Sequence, residues 1–118
     1  MMNVKNIDHV TAEIIQSGIG VTKKVLISQE EAPNFSMRCF EIQPGGSMPN
    51  HTNQVEHEQL VLSGRAKIGI GEKVFEVKKD DIVFIPAEVP HWYINNGDEP
   101  FRFLCLVPNK PDTTTILK

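Results

Sequence analysis

The chain is short of several things at once. Cysteine occurs at only two of its 118 positions, Cys39 and Cys105. That is too few for a disulfide framework, and both lie in apolar, alternating runs. They read as buried, reduced thiols of an intracellular protein. No apolar run approaches the length of about 20 residues that a bilayer-spanning helix needs. The opening "MMNVKNIDHV" has no apolar stretch of the signal-peptide kind. The expected compartment is therefore the cytoplasm, with no membrane partner. Positive charge is scarce too: twelve Lys and Arg against fifteen Asp and Glu leave a net charge of −3. Without a basic patch or stripe, nucleic acid is not an expected partner. Amphipathic helices, internal repeats and low-complexity segments are also missing.

What remains is a succession of short strands. "SMRCFEIQ" alternates and is followed by Pro44-Gly45-Gly46, a turn signal that should close it. "EQLVLSG" ends at Gly64, and "RAKIGI" and "KVFEV" flank Gly71-Glu72 as a hairpin would. "IVFIP", "HWYI" and "FRFLCLVP" follow, separated by charged or Asn/Gly-rich turns. This spacing predicts an all-β sandwich or barrel. The length suggests one domain over 1–118, with a core of about 21–108, an N-terminal arm of 1–20 and a C-terminal tail of 109–118. The arm is ambiguous, since "VTAEIIQ" suits a strand or a helical turn. The tail is partly β-prone and could frame the barrel or pair with another chain. Leu60 and Leu62 fall on one face of their strand, and His57 and Val61 on the other. Both faces need cover, so a homodimer is expected.

Four histidines carry the chemistry: His9, His51, His57 and His91. His9, beside Asp8, reads as a surface residue. On one straight strand His51 and His57 would stand ~20 Å apart, whereas two ligands of one ion each lie ~2 Å from it. They share a metal only if the chain reverses between them, near residues 53–56. His91, Tyr93 and Asn95 share a face of their strand. From the residues alone, three histidines only suggest a metal site, and isolated side chains satisfied by hydrogen bonds are the plainer reading.

The span Pro44–Val107 resembles the cupin superfamily, and within it the small single-domain cupins. Gly45 or Gly46 opens the first motif, His51 supplies its first histidine, and Asn53 stands at its second. His57 stands where many cupins carry glutamate, six residues before Gly64. The second motif is met by Pro86, His91 and Asn95, with Asp80 and Glu88 replacing two glycines. "EHEQLVLSG" and "FLCLVP" look like the subgroup that binds metal through histidines. The resemblance implies a cupin-type double-stranded β-helix, or jelly-roll, barrel with a site in its mouth. It implies one divalent transition metal (Fe, Mn, Ni, Cu or Zn) on His51, His57 and His91. Asn53 would be a carbonyl-oxygen ligand, a hydrogen-bonding neighbour of the ligands, or a bystander.

Alternation then selects the pocket. Gln59 shares the face of His57, and Tyr93 that of His91. Phe103 and Cys105 share an inward face. Met48 joins them only if a bulge separates it from His51. An inward Arg38 would hold a substrate carboxylate by a bidentate contact. Glu56 and Glu58 read as solvated, and Trp92 points away from His91. The expected function is a metal-dependent oxygenase acting on a small anionic or enolisable organic substrate, with Tyr93 and Gln59 as catalytic candidates. The alternatives are a small-molecule-binding module without turnover, or a metal-assisted isomerase or lyase.

Overall fold

The computed structural model describes residues 3–117. Its only helical element is a 3₁₀ turn at Ile7–His9, in which the Asp8 amide donates to the Asn6 side chain. The rest is strand: β1 (Glu13–Ile14), β2 (Ile19–Ile27), β3 (Phe35–Thr52), β4 (His57–Ser63), β5 (Arg65–Ile70), β6 (Lys73–Lys78), β7 (Ile82–Ile85), β8 (His91–Ile94), β9 (Phe101–Pro108) and β10 (Thr115–Ile116). The main order is β6-β5-β8-β3-β9-β4-β7, with β2 and β10 also on β3. Every pairing is antiparallel.

One strand organises this topology. Phe35–Ile42 of β3 pair with β2 and β9, whereas Ser47–His51 pair with β8. The strand exchanges β9 for β8 as a partner at Pro44-Gly45-Gly46, which the sequence reading takes as its end. The chain continues because the two glycines make a corner. Gly45 sits at φ 81, where a Cβ is strained. A Cβ on Gly46 would come within 2.5 Å of the Ile19 carbonyl oxygen. Barrel corners are built by such bends.

Alternation places the core where expected. Gln59 and Val61 of β4, Tyr93 of β8, and Phe101, Phe103 and Cys105 of β9 are all buried. They close around Ile42, Ala66, Ile68 and Ile85. Phe40, Phe103 and Tyr93 stack with centroids 5.3 and 5.1 Å apart, an arrangement worth more than the burial of three separate rings. Trp92 turns the other way, into space that a side chain on Gly69 would occupy. On the outer face Leu60, Ile82 and Phe84 stay exposed.

The two positions where the resemblance expects glycine keep glycine-like backbone. Asp80 and Glu88 have φ of 76° and 66°, the only positive values at non-glycine residues in the described chain. Such conformations cost roughly 1 kcal/mol or more outside glycine.

Candidate metal centre

His51 and His57 do approach one another, because the chain reverses over residues 53–56. The turn is anchored by buried Val55 and by the Glu88 amide donating to the Asn53 carbonyl at 2.8 Å. His51 stands opposite His91 in the β3–β8 ladder, and Met48 stands opposite Tyr93. Three residues thus match two, so a bulge lies between Met48 and His51, and both side chains reach the same cavity. The His51 and His91 ring centroids are 4.1 Å apart, and those of His57 and His91 5.5 Å.

Each imidazole is oriented through its Nδ1. In His51 this atom lies 2.7 Å from the Pro49 carbonyl oxygen, and in His91 2.9 Å from that of Val89. A carbonyl only accepts, so Nδ1 holds the proton and Nε2 keeps its lone pair. His57 is different: its Nδ1 lies 3.5 Å from the Cys105 thiol. Burial, then Arg38, then the other two imidazoles hold His57 down to about 3. Burial, aided by His51 and opposed by the Val89 bond, holds His91 at about 4. Both rings are neutral at neutral pH, as ligands must be.

A cavity of about 150 Å³ opens in front of these rings. His51, His57, His91, Asn53, Arg38, Met48, Gln59, Tyr93 and Phe103 all line it. Cys105, chosen from the sequence as a pocket residue, is fully buried and sits one layer back. There it accepts from Arg38 Nη2 at 3.2 Å and contacts the Gln59 amide at 3.8 Å. Its side chain is too short to pass the longer ones in front. Gln59 Nε2 donates to the Tyr93 hydroxyl at 2.6 Å. Burial raises the Tyr93 pKa further, so the phenol keeps its proton.

The wall holds no aspartate or glutamate, but it does hold Arg38 and Lys23. Lys23 is paired with Glu13 at 3.2 Å. Arg38 lies in no ion pair among the described residues. Its guanidinium carbon sits 5.1 Å from the Phe40 ring centre, and its buried Nε has no partner. Ile15 and Ser17 of the arm, Lys23 of β2, and Thr114 and Ile116 of the tail also reach the wall. Sequence reasoning did not select these five, since no periodicity connects them to the motifs.

Among the described residues no group of three or more His, Cys, Asp or Glu side chains is arranged to hold an ion as it stands. The fit of a metal rests instead on donor chemistry. His57 Nε2, His91 Nε2, Asn53 Oδ1 and Gln59 Oε1 are all buried without hydrogen-bond partners. Buried acceptors are normally satisfied, so four orphans around one cavity describe a place for a shared cation or its bound ligand.

The family described as "Cupin domain" matches residues 38–107. The chain is a cupin. Among solved structures it is similar to the polyketide cyclase RemF from Streptomyces resistomycificus, at 30% identity over 100% of this chain and 88% of that one, with a TM-score of 0.89. Among curated proteins it is similar to the uncharacterized protein MJ1618 of Methanocaldococcus jannaschii, at 37% identity over 53% of this cupin. It is also similar to mannose-1-phosphate guanylyltransferase RfbM of Salmonella typhimurium, at 30% identity over 64% of this cupin. The matched regions span 52% of the first and 16% of the second.

Proposed function

We propose that this cupin binds one divalent transition metal through His51, His57 and His91 and acts on a small anionic or enolisable organic substrate. The observation that carries the reading is the pair of orphaned Nε2 atoms on neutral, buried rings. Three imidazoles suit Fe, Mn, Ni, Cu or Zn. With no carboxylate among the ligands, the ion would keep its full charge and favour an anion. Arg38 supports the same preference, as a half-buried cation with an unpartnered Nε and no acid in the cavity wall. The cavity volume, about 150 Å³, suits a molecule of roughly benzene size.

A metal bound here would supply Lewis acidity and, if redox-active, electron transfer to dioxygen. The chain's own residues would do the rest. Arg38 holds a carboxylate or enolate oxygen. Gln59 and Tyr93 orient the substrate, with Tyr93 as the neutral proton donor. Phe103 and Met48 keep water from the reacting face. Within this reading an oxygenase is the specific proposal. A redox-neutral, metal-assisted rearrangement is the second. It is favoured by the Tyr93 phenol in the cavity wall and by similarity to a structure named as a polyketide cyclase. Oxygen uptake by the metal-loaded protein with small diketones or phenols tests the choice. Turnover with uptake supports the oxygenase, and turnover without uptake supports the rearrangement. Binding without turnover makes the protein a ligand-binding module.

The same proposal includes a homodimer formed through the exposed Leu60, Ile82 and Phe84 face, which sedimentation would measure. The two free, buried cysteines suit a reducing compartment such as the cytoplasm. No helix among the described residues is long and apolar enough to cross a membrane.

A further inference from the structure

The last described segment lies across the mouth of the pocket. Thr115 and Ile116 pair with Thr52 and His51 of β3. Leu117 N donates to the Asn50 carbonyl at 2.9 Å. Thr114 and Ile116 form part of the cavity wall.

This strap is also fastened to one side chain. Asn53 Nδ2 donates to Thr114 Oγ1 at 2.8 Å and to Asp112 Oδ2 at 3.2 Å. The other Asp112 oxygen accepts the Gln54 amide at 2.7 Å. A carboxamide nitrogen has two hydrogens, and the strap takes both. The Asp112 carboxylate only accepts, so it also determines which end of the amide faces away from the cavity. The remaining atom, Oδ1, is buried on a residue only 7% exposed and has no partner. It belongs to the same wall as His51, His57 and His91. A buried carbonyl oxygen left unpaired costs roughly 1–3 kcal/mol, and a cation shared with the imidazoles removes that cost.

We propose that the strap 112–117 aims Asn53 Oδ1 at the metal, so that Asn53 is a fourth donor and Asp112 and Thr114 are its positioning residues. This rests on the three-histidine reading and deepens it. A carboxamide oxygen adds no charge, so the site keeps its preference for an anionic substrate. A donor held by a two-residue strand that is itself exposed is also adjustable, because few buried contacts resist its movement.

Cobalt(II) alone is the probe, with affinity read by chelator competition and the ligand set by its visible absorption bands. Asn53→Leu and the double variant Asp112→Ala/Thr114→Val should each bind cobalt about 10–100-fold more weakly and shift the bands. Because the strap acts through Asn53, the triple variant should bind no more weakly than Asn53→Leu alone. Wild-type affinity and bands in Asn53→Leu would overturn the proposal, as would losses that multiply in the triple variant. If Asn53→Leu does not fold, the double variant decides alone, since it keeps all four donors: altered bands support the proposal and unaltered bands overturn it. His91→Ala separates the two readings. If it retains wild-type affinity, the three-histidine reading itself fails. If it loses cobalt while the Asn53 and strap variants do not, only the strap proposal fails.

Discussion

Two buried asparagines mark opposite ends of the barrel interior. Asn95 is 1% exposed and Asn53 7%. Asn95 is fully used. Its Nδ2 donates to the Ile42 and Glu99 carbonyls at 2.8 and 2.9 Å, and its Oδ1 accepts the Gly97 amide at 2.9 Å. Around it the interior is apolar, with Ile42, Ile68 and Phe101 at 0% exposure. Asn53 uses only its nitrogen, and its oxygen shares a wall with histidines whose outward nitrogens are equally unpartnered. The lesson is one of chemistry rather than depth. Satisfied polar atoms at the closed end hold the fold, and unsatisfied ones at the open end are those that the proposed ligand would satisfy.

Acid should break the comparison hardest. The folded-state pKa values of His57 and His91 lie at about 3 and about 4, below the ordinary 6.5. The unfolded chain therefore binds more protons between those values. The stability of the metal-free protein is fully present above pH 6.5 and falls as pH drops. Each ring contributes at most about 1.4 kcal/mol per pH unit. The loss from His91 ends near pH 4, and that from His57 near 3. The titratable or charged groups facing these rings are Arg38, His51, Tyr93 and Cys105, besides each other, and no Asp or Glu in the cavity wall offsets them. Urea denaturation of metal-free protein at pH 7 and 5 measures the slope. A stability that does not fall would contradict neutral, buried rings.

Asn95→Ala comes next. It leaves two carbonyls and an amide without partners and should cost about 3 kcal/mol in urea denaturation, while folded molecules bind metal as before. Arg38→Leu should do the reverse at the open end. It should weaken binding of a small dicarboxylate to the metal-loaded protein by about tenfold in calorimetry, with metal content unchanged. The smallest effect belongs to the turn that supports Asn53. Glu88→Gly relieves a φ of 66° and should raise stability by roughly 1 kcal/mol.

The inward faces of the strands were more legible in the sequence than the partners of Asn53 and the depth of Cys105. Period-two alternation places Val61, Tyr93, Asn95, Phe101 and Phe103 inward, and the structure buries them all. It also requires a bulge between Met48 and His51, and one is there. Pro44-Gly45-Gly46 misleads because the same residues that end a strand also bend one around a barrel corner. Asn53 stayed ambiguous because its partners, Asp112 and Thr114, lie 59 and 61 residues away. A contact across that separation leaves no periodic trace. The setback of Cys105 behind Arg38 and Gln59 depends on side-chain length, which alternation does not report.

The central claim is that the open end is a metal site. Its most direct test is elemental analysis of the purified protein, alongside His57→Ala and His91→Ala, after incubation with Fe, Mn, Ni, Cu and Zn. One transition-metal ion per wild-type chain, lost from each variant, is the expected result. A wild-type chain that stays metal-free, or variants that keep a full equivalent, would contradict it.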